Sequence, residues 1–266
     1  MPPARKPKPR TYDPAKTRGA VLTQYANIRT AALTLTPAQL ALPTRLGDWT
    51  VRDLVAHITM AVGSVNRALG QDEPAKADIS VVDYPSATAA FAEAIAAGSH
   101  ALAERTPDLN TLLTDTEEHL TELLEGVADT RVLAVRVGAV TLTDFLVTRT
   151  VELVVHTDDL NDAVPGLDIP YDRQALATCT RLLADALAAK APGGSTEVRV
   201  PPYAVVQCVE GPRHTRGTPP NVVETDPLTW IRLATGRLTW TDALDKAQVS
   251  ASGERADLGE LLPLMS

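Results

Sequence analysis

Glu152 and His156 stand four residues apart in Glu152-Leu-Val-Val-His156, and His57 closes the segment Trp49-Thr-Val-Arg-Asp-Leu-Val-Ala-His57. On a helix, residues four apart project from one face, one turn above the other. One imidazole from a neighbouring helix then completes three ligands that can converge on a metal ion. Two histidines and a carboxylate, with a coordination position left open, make a catalytic rather than a structural zinc arrangement. The alternative for each histidine is a hydrogen-bonded core residue, because Glu-x3-His alone is a weak signal. Glu152 and His156 lie in an otherwise apolar segment, where unpaired polar groups are costly, so they need partners.

Helices must position these residues, and the N-terminal half supplies the signals for them. Asp13-Pro14 is an N-cap followed by proline at the first helical position, and Val21, Leu22, Tyr25, Ile28 and Leu33 follow at helical spacing. Thr36-Pro37 starts a short turn that ends before Pro43. Thr50 with Asp53 resembles a capping box, aspartate replacing the usual glutamate; Val51, Leu54, Val55, Ile58 and Val62 then form an apolar stripe with His57 beside it. Pro85 or Ser86 opens an Ala-rich helix through Arg105, and Pro107 to Glu125 is a further helical stretch. Residues 131–140 are β-branched and read as extended. Thr141 or Thr143 caps a helix through Leu160 that is apolar nearly all round, which predicts burial. Residues 13–166 therefore read as an all-α bundle.

After Pro165-Gly166 the pattern changes. Tyr171 to Lys190 reads as one amphipathic helix, stopped by Pro192-Gly193-Gly194. Strands are expected at Glu197–Val200, Tyr203–Val209, Asn221–Glu224 and Val249–Ser252, with helices from Asp226-Pro227 through Leu233, from Trp240 to Lys246 and from Leu258 to Leu262. Residues 170–266 thus form a smaller α+β domain.

The chain has 266 residues and a formal net charge of -8, which argues against a nucleic-acid binder because no basic face dominates. No apolar run is long enough to span a bilayer. The opening residues are basic and Pro-rich without an apolar segment behind them, so they do not make a signal peptide, and residues 1–12 are expected to be a disordered basic tail. Cys179 and Cys208 are far apart and lack a CxxC partner, which suits core thiols in a cytoplasmic protein.

Two segments, Gly47-Asp-Trp-Thr-Val-Arg-Asp-Leu-Val-Ala-His57 and Thr148-Arg-Thr-Val-Glu-Leu-Val-Val-His-Thr-Asp-Asp-Leu160, resemble the signature segments of the mycothiol-dependent maleylpyruvate isomerase family. That resemblance covers about residues 15–165 and implies a DinB-like metal-binding four-helix bundle. It places the metal ligands on His57, Glu152 and His156. The C-terminal half resembles sterol-carrier-like domains through Arg199-Val-Pro-Pro202, Gly211-Pro-Arg-His-Thr-Arg-Gly217, Pro220-Asn-Val-Val-Glu224, Asp226-Pro-Leu-Thr-Trp230, Gly236 and Ser250-Ala-Ser-Gly-Glu254.

Asp53 and Asp159 each have a capping reading and a reading as acceptor of a ligand histidine's second N–H, with capping favoured for Asp53 and the choice open for Asp159. Arg149, one turn before Glu152, either faces the site and binds an anion or makes a surface salt bridge. Arg149, Asp159 and the polar loop residues Arg213, His214 and Arg216 are the candidates for contact with substrate or cofactor; the loop alternatively covers a strand end. The implied function is a metal-dependent enzyme that activates a low-molecular-weight thiol, mycothiol, for isomerisation or S-transfer on a small electrophile. Zinc is the expected ion, with nickel and iron also suited to these ligands. The alternative is a non-enzymatic carrier of lipid or another apolar molecule, which requires a continuous apolar cavity.

Overall fold

Helix starts in the N-terminal half fall where side chains can satisfy the free backbone N–H groups of a first turn. Helix α1 (Pro14–Ala32) follows Asp13, which accepts the Lys16 N–H at 3.0 Å. The single turn α2 (Pro37–Leu40) is capped by Thr36. Helix α3 (Val51–Leu69) opens on a reciprocal box in which the Thr50 hydroxyl accepts the Asp53 amide and the Asp53 carboxylate accepts the Thr50 amide at 2.9 Å. The computed structural model describes residues 10–87, 89–212 and 220–265. Of the tail expected over residues 1–12, residues 1–9 lie outside the described residues, while Arg10 pairs with Asp185 at 2.8 Å and Tyr12 packs on the core.

The Ala-rich helix expected from Pro85 or Ser86 is broken. A turn α4 (Tyr84–Ala87) and a 3-10 turn at Ala89–Phe91 precede helix α5 (Ala92–Arg105). The break faces two aromatic rings toward cations: Arg149 lies 5.5 Å from the Tyr84 ring and Arg136 5.5 Å from the Phe91 ring. Helix α6 (Leu109–Leu124) comes next, capped by Asp108. The stretch 131–140 is extended, as a hairpin of β1 (Val132–Val135) and β2 (Gly138–Thr141) turning at Arg136-Val137. Gly138 has φ +139°, and a Cβ there would lie 2.6 Å from Ile79, so glycine is required. Thr141 caps α7 (Leu142–Ala163), which is buried on almost every side.

Helices α1, α3, α6 and α7 form the bundle, packed around Tyr25, Leu54, Ile58, Leu113, Leu146 and Leu153. Helix α8 (Arg173–Lys190) starts two residues later than expected, because Asp172 caps it by accepting the Ala175 N–H at 2.8 Å. Beyond it come β3 (Thr196–Val200), β4 (Ala204–Cys208), β5 (Val222–Thr225), α9 (Pro227–Ala234), α10 (Trp240–Asp245) and β6 (Val249–Ser252). The strands form one sheet in the order β4-β3-β5-β6, with β3 and β5 parallel and the other pairs antiparallel. The closing segment forms a 3-10 turn at Gly259–Leu261 where an α-helix was expected. Strand β4 turns Ala204, Val206 and Cys208 inward and leaves Val205 61% exposed.

The two halves share a core. Val147, Val151, Val154 and Val155 of α7 join Cys179, Leu182 and Leu183 of α8, the inner face of the sheet and Trp230 of α9 in one buried cluster. Helix α7 therefore packs on the bundle with one side and on the α+β half with the other.

Candidate functional site

Helices α3 and α7 pack together, and their facing sides bring His57, Glu152 and His156 into one cluster. Glu152 Oε2 lies 3.4 Å from His57 Nε2 and 3.5 Å from His156 Nε2. The two imidazoles meet edge to face with centroids 4.7 Å apart, and one donor atom from each of the three residues lies within 4.8 Å of the others. Both histidines are buried.

The hydrogen-bond network assigns the ring protons. Ser99 of α5 gives its single hydroxyl proton to the Ile95 carbonyl at 2.8 Å, the usual bond to the preceding helical turn. Its oxygen must then accept from His57 Nδ1–H, 3.2 Å away. In the neutral ring that burial favours, His57 Nε2 then turns a lone pair toward the Glu152 carboxylate, an arrangement that is repulsive without a cation between them. On the other side, Asp159 Oδ2 accepts His156 Nδ1–H at 2.8 Å and fixes that ring with Nε2 toward Glu152.

Donors about 2.0–2.1 Å from an ion at the tetrahedral angle are about 3.4 Å apart. The 3.4 and 3.5 Å separations match that spacing, so the three residues fit a divalent ion.

Electrostatics point the same way. Burial alone would raise the Glu152 pKa, but contacts from His156 and His57 and the Arg149 charge hold it well below the usual carboxylate range. Burial pushes His57 below its ordinary value. Burial also works against a charge on His156, but hydrogen bonds to Asp159 and Glu152 outweigh it and raise that ring's pKa.

Among the other residues singled out in the sequence, Arg149 makes no surface salt bridge. It is 4% exposed, donates Nη1 to the Ala61 carbonyl at 3.2 Å and Nη2 to the Tyr84 hydroxyl, and lies 3.7 Å from Glu152 Oε1. Asp53 caps α3 and receives His100 Nδ1 at 3.1 Å, away from His57. Asp159 is fully buried and accepts the His156 Nδ1–H. Arg213, His214 and Arg216 lie outside the described residues. Burial raises both thiols, Cys208 to about 11, which suits core residues.

Several neighbours of the site escaped the sequence reading. Ser99 orients His57 from another helix. Arg45 Nε and Arg237 Nη2 meet Asp159 at 2.6 and 2.9 Å, and Arg232 grips the adjacent Asp158 through Nη2 at 2.5 Å and Nε at 2.9 Å. The signal for the arginines was present: two adjacent aspartates in an apolar helix require cationic partners. Arg232 and Arg237 come from the α+β half, so that half reaches His156 through Asp159. Beside the triad lies a cavity of about 260 Å³, bounded by His57, Glu152, Arg149, Tyr84 and Phe145 and extending along α3 to Gln71. No helix of the described residues is long and apolar enough to cross a membrane.

Comparison with known proteins adds a family. No curated protein matches the sequence. Two solved structures of the mycothiol-dependent maleylpyruvate isomerase, one of a histidine-to-alanine mutant, share the fold with a TM-score of 0.60. Each is 16% identical over 92% of this chain and 95% of that chain. Residues 172–264 match the family described as bacterial SCP ortholog. Residues 21–161, more than half of the chain, match the mycothiol maleylpyruvate isomerase N-terminal domain, and the chain belongs to that family.

Proposed function

We propose that the chain is a mycothiol-dependent enzyme whose His57, Glu152 and His156 hold a divalent metal, zinc by donor type. The observation that carries this reading is the convergence of the His57 lone pair, the Glu152 carboxylate and His156 Nε2 at 3.4–3.5 Å. An ion bound there supplies a Lewis acid that lowers the pKa of a thiol and makes it a nucleophile near neutral pH.

The chain's own residues do the rest. Ser99 and Asp159 hold the two rings, His156, His57 and the Arg149 charge keep Glu152 ionised, and the adjoining cavity holds the electrophile beside the cluster. Addition of the thiolate to an electrophilic carbon leads to isomerisation or S-transfer. The division into a bundle over 13–166 and a second unit over 170–266 is part of the proposal, as is a cytoplasmic location suited to two buried free thiols. The carrier reading draws less support, because Val198, Val200, Val206, Val223 and Trp230 fill the inner side of the sheet.

Assay of the purified, chelated and metal-reloaded chain with maleylpyruvate and with a simple S-acceptor tests the proposal. Turnover that requires both the metal and mycothiol is expected. Turnover that ignores either one contradicts the proposal, and so does the absence of turnover with both acceptors.

A further inference from the structure

Past His57, the cavity wall gathers positive charge. Arg67 lies back along its own helix, and its Nη2 donates to the Met60 carbonyl at 3.2 Å. Arg67 Nη1 passes over Gly63, 3.6 Å from where a Cβ would stand, so a Cβ alone would only touch it and a longer side chain there would crowd it. From α7, Arg149 Nη1 donates to the next carbonyl, Ala61, also at 3.2 Å. Two guanidinium groups thus sit over consecutive carbonyls about one helical turn beyond His57. Arg136, at the tip of the β1–β2 hairpin, lines the same cavity.

Little on the protein balances this charge. The one carboxylate among the described lining residues is Glu152, which faces both histidines and lies 3.7 Å from Arg149, so it cannot also balance Arg67 and Arg136. Arg67 and Arg136 have no carboxylate partner among the described residues. Burial, together with the charges of Arg136 and Arg149, pulls the Arg67 pKa down. Like charges gathered in a partly enclosed space are unfavourable, and a bound anion relieves that. Met60, Phe91, Ile95 and Phe145 give the cavity an apolar wall, and its volume of about 260 Å³ is at the small end of ligand sites.

We infer that Arg67, Arg136 and Arg149 form a subsite that selects a small electrophile with an apolar body by its carboxylate, held about one helical turn from His57. The word electrophile rests on the proposed function; the anion subsite does not.

Calorimetric titration of the full chain with cinnamate and with its neutral isostere cinnamamide tests this, in metal-loaded and metal-stripped protein. Cinnamate should bind about tenfold or more tighter than cinnamamide in both forms. Arg67→Gln and Arg136→Gln, both at exposed side chains, should each remove most of that preference and leave cinnamamide affinity and metal content unchanged. Gly63→Leu, which displaces Arg67 without removing its charge, should do the same, while Arg199→Gln on the sheet should change nothing. Equal affinities, no binding of cinnamate, or a preference that survives in the Arg67→Gln/Arg136→Gln double variant would overturn the inference. A preference found only with metal and kept in the double variant would assign the carboxylate to the ion and overturn it too. A chain without mycothiol-dependent turnover that keeps the arginine-dependent preference would sink the proposed function alone.

Discussion

Asp159 does two jobs with one carboxylate. It accepts the Nδ1–H of His156 and is itself held by Arg45 and Arg237. Burial alone would raise its pKa, but the hydrogen bonds and charges of His156 and Arg237 outweigh it and keep the group ionised. Asp159→Asn keeps the shape but loses the charge, and should lower metal affinity about 10- to 100-fold, read by competition with a chelating dye. Ser99→Ala should have a smaller effect, since His57 keeps its packing against Trp49 at 5.1 Å. The types and spacing of His57, Glu152 and His156 were legible in the sequence because they share two helices. Ser99 and Arg237 were not, because contacts across 42 and 78 residues leave no local pattern.

At the scale of elements, α3 depends on its first turn. The Thr50–Asp53 box fixes where the helix starts and hence the face on which His57 lies. Thr50→Ala should cost about 1 kcal/mol, seen as a lower denaturation midpoint with metal stoichiometry intact. The starts of α1, α3 and α7 were readable because a capping side chain is a local signal. The break before α5 was not, and the cations that meet its two aromatic rings, Arg149 and Arg136, reach Tyr84 and Phe91 from elsewhere in the fold. The hairpin at 132–141 was readable as extended chain, but its pairing depends on Gly138 fitting against Ile79.

The whole molecule is joined through α7. Burying a valine contributes roughly 1.5–3 kcal/mol, so the four α7 valines in the shared core represent an upper bound of about 6–12 kcal/mol, comparable to the whole stability of a domain. One calorimetric unfolding transition is therefore expected, and truncation after Leu167 should leave the bundle aggregating or molten. The polar link is Asp158, gripped by Arg232 and Arg45. Burial alone would raise the Asp158 pKa, but these arginines lower it. A depressed carboxylate contributes stability that is complete above its ordinary pKa and lost as pH falls through the folded value. Asp158→Asn should thus cost about 2 kcal/mol, below the value for a fully buried pair because the Arg232 side chain is 35% exposed. That deficit should hold from about pH 8 to about pH 5 and narrow only below about pH 4, in denaturation curves of the two proteins. The division into a bundle and an α+β half was legible from the change of pattern after Gly166, but the shared core was not, because an all-round apolar helix does not say what covers each side.

The central claim, that His57, Glu152 and His156 hold a metal ion, is tested most directly by elemental analysis of the purified protein beside His57→Ala and His156→Ala. The account predicts near-stoichiometric divalent metal in the natural sequence and its loss from both folded variants. Metal-free natural protein that takes up no zinc on reconstitution, or full metal content in either variant, would contradict it.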